Sequence, residues 1–191
     1  MHPQPFPQLL FIRASRWLNK YFDIELSPST IDRSMAIIKN CGSPFFASLI
    51  VRTLAYAWTT GVRFSQSVTD KGCCPFCSKP PETLPHILSC KMLLLPLRDA
   101  LNSELRSRGF STVLRNLSSE DACGILRILI PARPASPCCL LLLASACDLF
   151  QSAKNVSFLS KAARIAFIKS RVHIFAKNLG PKFWKNELGV T

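Results

Sequence analysis

The chain has 191 residues, 48% hydrophobic and 18% charged, with a formal net charge of +13 at pH 7. That hydrophobic share supports a buried core and argues against disorder by composition, while the charge points to a polyanionic partner, most simply nucleic acid. Nine cysteines at irregular spacing argue against a disulfide framework, so an intracellular setting, nuclear or cytoplasmic, is expected. Residues 1–8 form a proline-rich lead, read as extended and disordered, and Pro3, Pro5 and Pro7 break the apolar helix a signal peptide needs. N-terminal helices are expected over 9–42. Leu9 to Phe22 is apolar with Arg13, Arg16 and Lys20 at helical spacing, and Ile31 to Lys39 follows Ser27-Pro28 as a short helix.

A larger helical region is expected over 43–130. Ser43-Pro44 pairs an N-cap residue with a proline in the first turn and opens a nearly all-apolar helix from Phe45 to Trp58. A helix apolar all round is buried, so its one cation, Arg52, must snorkel, pair or meet a phosphate. Gly61 ends the segment, and Arg63 and Phe64 follow on a loop. Two readings of that pair stand equally: phosphate contact with base stacking, or a solvated arginine beside a packed ring.

Residues 73–90 organise the rest. Cys74 and Cys77 have the C-x2-C spacing that lets a tight turn aim two thiolates at one ion, and His86 and Cys90 are four apart, on one face of a helix. Together they make a closed Cys3His tetrahedron, the usual structural zinc site. A redox C-x-x-C is the competing reading, but Ser78-Lys79-Pro80-Pro81 does not continue as the helix such a motif opens. Cys73 could replace Cys74 in C-x3-C spacing, though the turn favours Cys74. Thr83 is placed to cap the helix holding His86 and Cys90, with Pro85 in its first turn and a break or kink expected at Pro96.

The run Leu49-Ile50-Val51-Arg52-Thr53, Ala57-Trp58-Thr59-Thr60-Gly61-Val62-Arg63-Phe64, Cys74-Pro75-Phe76-Cys77, Glu82-Thr83, His86-Ile87-Leu88 and Cys90 resembles the zinc-binding segment near the C-terminus of non-LTR (LINE-type) retrotransposon reverse transcriptases. The resemblance covers about residues 45–95. One spacing departs from it: the family usually has four residues between the histidine and the last cysteine, and this chain has three, which a helix accommodates. What the resemblance implies is a region that helps hold template RNA or target DNA, and a possible partner in the remainder of a reverse transcriptase.

Leu97 to Arg108 reads as a helix with an ordinary solvated face, Ala122 to Ile130 as another, and 131–137 as a linker. The 138–191 segment holds C-terminal basic helices. Cys138 to Ser152 is uniformly apolar at its core and is expected to be buried; at this length it falls short of the ~20 residues of a membrane span, so no membrane is expected. Phe158 to Leu179 interleaves Lys161, Arg164, Lys169 and Arg171 with Phe167, Ile168, Val172 and Phe175. That face meets nucleic acid on one reading and is merely wet on the other.

Enzyme signatures are missing. There is no Asp-Asp pair for two-metal polymerisation, no glycine-rich phosphate loop, and Asp99 with Glu104 is the sole near candidate for a nuclease, at a spacing that separates the two on a helix. The expectation is therefore an all-α, non-catalytic protein with a small zinc knuckle at Cys74, Cys77, His86 and Cys90. Its nucleic-acid contacts would come from Arg52, Arg63, Lys71, Lys79, Lys161, Arg164, Lys169 and Arg171. A structural or protein-interaction fragment of a decayed retroelement is the alternative, and a degenerate endonuclease the third.

Overall fold

A computed structural model describes residues 6–23, 25–29, 32, 35–36, 39, 43–58, 60, 72–80, 82–110, 137–154, 156–179 and 183–184. Six helices organise them: α1 (Phe6–Phe22), α2 (Pro44–Leu54), α3 (Leu84–Ser89), α4 (Lys91–Ser107), α5 (Pro137–Ala153) and α6 (Lys161–Asn178). No strand occurs among the described residues, so the fold is all-α as the periodicity indicates. None of the helices is long and apolar enough to cross a membrane.

The central element is α5. Every residue from Leu141 to Phe150 is buried, as a helix without a polar face requires. It packs against α2, α4 and α6, while α4 and α6 also pack on each other and α1 lies on α2. Its two buried polar side chains have partners. Ser145 Oγ donates to the Leu141 and Leu142 carbonyls at 2.7 and 3.0 Å, and Asp148 accepts from Arg171 of α6 at 3.1 and 3.3 Å. Burial pushes the Asp148 carboxyl up, and Arg171 pulls it back. Cys147 is sealed in the same helix, and burial raises its thiol to about 12, leaving it protonated and inert.

The helix ends follow their sequences. Ser43 Oγ accepts the Phe46 N–H ahead of α2, with Pro44 in the first turn, and Ser160 Oγ accepts the Ala163 N–H ahead of α6. Thr53 donates to the Leu49 carbonyl and accepts from the Trp58 indole, both at 2.9 Å, while Trp58 stacks on Phe150. The Trp17 indole reaches across from α1 to the Leu54 carbonyl at 2.9 Å. Buried indoles are thus anchored by their N–H as well as by area.

Boundaries differ from expectation in several places. α2, expected to run to Trp58, stops at Leu54, and Tyr56 turns the chain with φ 54°. α1 begins at Phe6, inside the proline-rich lead, because Pro7 falls in the first turn where its missing N–H has no bond to lose. Cys90 does not continue the helix of His86; it leaves α3 in an extended conformation (φ −70°, ψ 106°) and starts α4. At Pro96, where a break or kink is expected, the helix is not broken: the proline lies inside α4. A proline there costs about 3 kcal/mol, and α4 offsets it by burying Leu93, Leu97, Ala100, Leu101 and Leu105 against α5 and α6. Of the linker expected at 131–137, Pro137 instead opens α5, and its other residues, like the helix expected at Ala122–Ile130 and much of Ile31–Lys39, lie outside the described residues.

Phe150 is fully buried in the last turn of α5 and stacks on Trp58. Phe150→Ala should destabilise the fold by about 3–5 kcal/mol, read as a lower urea midpoint with an unchanged slope.

Candidate metal centre

Backbone hydrogen bonds build the ligand turn. The Cys74 N–H donates to the Lys79 carbonyl at 3.0 Å, the Ser78 N–H to the Cys74 carbonyl at 2.8 Å, and the Glu82 N–H to the Gly72 carbonyl at 3.1 Å. Ser78 makes the reversal with φ 58°, a conformation uncommon outside glycine. The turn aims amides at sulfur: the Phe76 and Cys77 N–H groups lie on Cys74 Sγ, and the Lys79 N–H on Cys77 Sγ. Such bonds favour the thiolate, the form that binds metal.

The other two donors come from the α3–α4 junction. Thr83 Oγ1 accepts the His86 N–H at 3.2 Å and caps α3. Ser89 Oγ donates back to the Pro85 and His86 carbonyls at 2.9 and 3.0 Å. This side-chain competition with the backbone ladder accompanies the end of α3, and the Cys90 N–H turns to the Ile87 carbonyl instead. The release at Cys90 carries its sulfur to the turn.

One donor atom from each of Cys74, Cys77, His86 and Cys90 lies within 4.8 Å of the other three. Cys74 Sγ and Cys90 Sγ are 3.8 Å apart, and Cys77 Sγ and His86 Nε2 are 3.2 Å apart. A tetrahedral ion bonded to sulfur at about 2.3 Å and nitrogen at about 2.0 Å spaces its donors by about 3.5–3.8 Å, so the four could hold a metal ion once the widest of their separations, up to 4.8 Å, draws in by about 1 Å. Cys74 and Cys90 are buried, and Cys77 and His86 half-buried. The hydrogen bond from the Cys74 thiol to Cys90, reinforced by burial, raises the Cys74 thiol, and accepting that bond lowers Cys90. Burial raises Cys77 and lowers His86, with Lys79 adding to the latter, so His86 favours the neutral imidazole that ligates. Cys73 is exposed and outside the cluster, which settles the spacing as C-x2-C from Cys74.

The centre is docked onto α6. Phe76, buried in the turn, stacks on Phe158 at 6.1 Å between centroids, and Phe158 meets Phe167 edge-on at 5.2 Å. Arg164 Nη1 donates to the Phe76 carbonyl at 2.7 Å. Arg164 and Phe167 are three apart and share a helix face, which is legible in the sequence; that this face meets the metal turn is not.

The other expected site residues are dispersed. Arg52 is exposed and bonds Gln151 of α5 at 3.3 Å. Lys79 is exposed on the ligand turn, Lys161 and Lys169 are exposed on α6, and Arg171 is held by Asp148. Arg63 and Lys71 lie outside the described residues. Asp99 pairs with Arg98, and Glu104 with Arg108 and His173. Among the described residues no second group of three or more His, Cys, Asp or Glu side chains converges.

The fold and the four side chains define an all-α protein with a Cys3His group that could hold a metal ion. Comparison with protein-family models, curated proteins and solved structures finds no match for the chain.

Ser78→Gly should remove the left-handed strain at no cost in ligands, raising the stability of the metal-loaded protein by up to about 1 kcal/mol. Ser78→Val should lower both stability and metal content. Thermal denaturation beside metal stoichiometry reads both.

Proposed function

We propose that this chain is a zinc-stabilised nucleic-acid-binding module without catalytic activity, derived from the C-terminal part of a non-LTR retrotransposon reverse transcriptase. The observation that carries the reading is the convergence of three sulfurs and one imidazole nitrogen within 4.8 Å. A thiolate-rich tetrahedral set is the donor chemistry of structural zinc. Zinc bound there would fix the turn of Cys74 and Cys77 to the α3–α4 junction and contribute folding free energy, on the order of 10 kcal/mol or more in small metal modules. Four protein donors leave no open position for an activated water, which supports a structural role.

The net charge of +13 supports a nucleic-acid partner, as do the exposed Lys79, Lys161 and Lys169. The descent rests on the motif order from Leu49 to Cys90. One observation favours the alternative of a structural or interaction fragment: Arg164 and Arg171 make intramolecular contacts with Phe76 and Asp148.

The test is metal content by mass spectrometry with an oligonucleotide gel shift on the same samples. Wild type should carry one equivalent of zinc and shift the oligonucleotide, and Cys77→Ser and His86→Ala should lose both. A zinc-replete wild type that shifts neither RNA nor DNA would favour the structural fragment.

A further inference from the structure

The metal centre has an open side. A cavity of about 400 Å³ lies against Cys77, His86 and Cys90, and its remaining wall is Lys79, Ser89, Lys91, Met92 and Arg164. These residues come from three separate parts of the fold: the ligand turn, the α3–α4 junction and α6. Three of them are cations. Among the described residues neither Lys79 nor Lys91 pairs with a carboxylate. Arg164 is fixed rather than free: Nη1 holds the Phe76 carbonyl, Nη2 sits 3.4 Å from Met92 Sδ, and its buried Nε has no hydrogen-bond partner. Its guanidinium has five donor N–H bonds, more than these contacts use. Lys91 is the first residue of α4 and Met92 the second, so the cavity also meets the positive end of a 17-residue helix.

Charge decides what fits. A divalent ion with three thiolates and a neutral imidazole carries one net negative charge. Three cations around it exceed that charge by two. An ion pair with the metal centre alone therefore does not account for them, and a small anion entering beside Ser89 would meet a net positive wall. The cavity is too large for a lone water-sized ion and has an apolar flank in Met92, exposed at 45%, suited to the face of a sugar or base.

We propose that this cavity is a phosphate subsite, taking one phosphodiester of a nucleic-acid backbone between Lys79, Lys91 and Arg164, with Met92 against the adjoining nucleoside. The proposal rests on the nucleic-acid reading above and narrows it: the metal centre is one wall of the binding site, and Arg164 serves both the Phe76 carbonyl and the phosphate. Ser89, which also lines the cavity, has its hydroxyl hydrogen directed to two carbonyls and so is not a donor to the phosphate.

The experiment uses the full chain with its metal content verified. Fluorescence anisotropy of a labelled single-stranded oligonucleotide is measured against salt for wild type, for Lys79→Gln/Lys91→Gln, and for a charge-matched control, Lys20→Gln/Lys39→Gln. In parallel, pyrophosphate is titrated into 15N-labelled wild type and the amide signals of Lys79, Ser89, Lys91 and Met92 are followed. The expected result is about a tenfold loss of affinity and a salt slope lower by about one in the cavity variant, a clearly smaller loss in the control, and saturable shifts confined to those amides. Equal losses in cavity variant and control, with no pyrophosphate shifts, would overturn the subsite and leave the nucleic-acid function standing. Saturable shifts in a protein that binds no oligonucleotide would overturn the nucleic-acid function and with it the phosphodiester assignment.

Discussion

The centre depends on the chain leaving the helix at Cys90. If α3 ran on unbroken into α4, Cys90 would be fixed one helical turn beyond His86. Its sulfur would then have to reach the ligand turn from the surface of a rigid rod. The observed extended conformation at Cys90 lets one residue end α3, start α4 and bring its sulfur to 3.8 Å from that of Cys74. Ser89 bonds two carbonyls of the last turn, and α4 then sets off across α5 and α6. The extended backbone at Cys90 thus places a candidate metal donor and starts a long helix at once.

A second constraint ties that junction to the rest of the fold. The metal turn is short and has little apolar surface of its own. It borrows some through Phe76, which is buried against Phe158 and so linked to Phe167 on α6. The Arg164 contact adds a charge-assisted hydrogen bond to the same turn. Because α6 packs on α4 and α5 as well, the turn, the junction and the helical core share one framework. Metal binding and helix packing are therefore expected to be coupled rather than independent.

The class of fold was legible because its signals are local and repeated. Ser43-Pro44 and Thr83 mark helix starts by chemistry that acts within three residues, and the structure has those caps. The uniform apolarity of Leu140–Leu143 is followed by a fully buried stretch of α5. The four candidate donors were legible as residue types at short range, and the C-x2-C turn brings its pair together as its spacing indicates. Less legible was the break between His86 and Cys90. Spacing of four fits one helix face equally well, whereas the following helix starts at Lys91 and buries its own apolar face, a tertiary effect. Pro96 misleads for a related reason: a helix penalty of about 3 kcal/mol is local, whereas the burial of five apolar residues that outweighs it is tertiary.

The cations show where sequence reasoning runs out. A net charge of +13 is a sum, and it says nothing about which charges are already engaged. On α6, Lys161 and Lys169 face water while Arg164 and Arg171 turn inward to Phe76 and Asp148. The split follows side-chain chemistry. A planar guanidinium can span a carboxylate or cap a carbonyl while partly desolvated, and an ammonium is too strongly hydrated to do so cheaply. Arginines at helical spacing with phenylalanines, as Arg164 is with Phe167, thus lie on the packed side of a helix that composition alone would call uniformly basic. On α6 the charge left for a partner is carried by exposed lysines such as Lys161 and Lys169, and by whichever donors of an anchored arginine still face an opening.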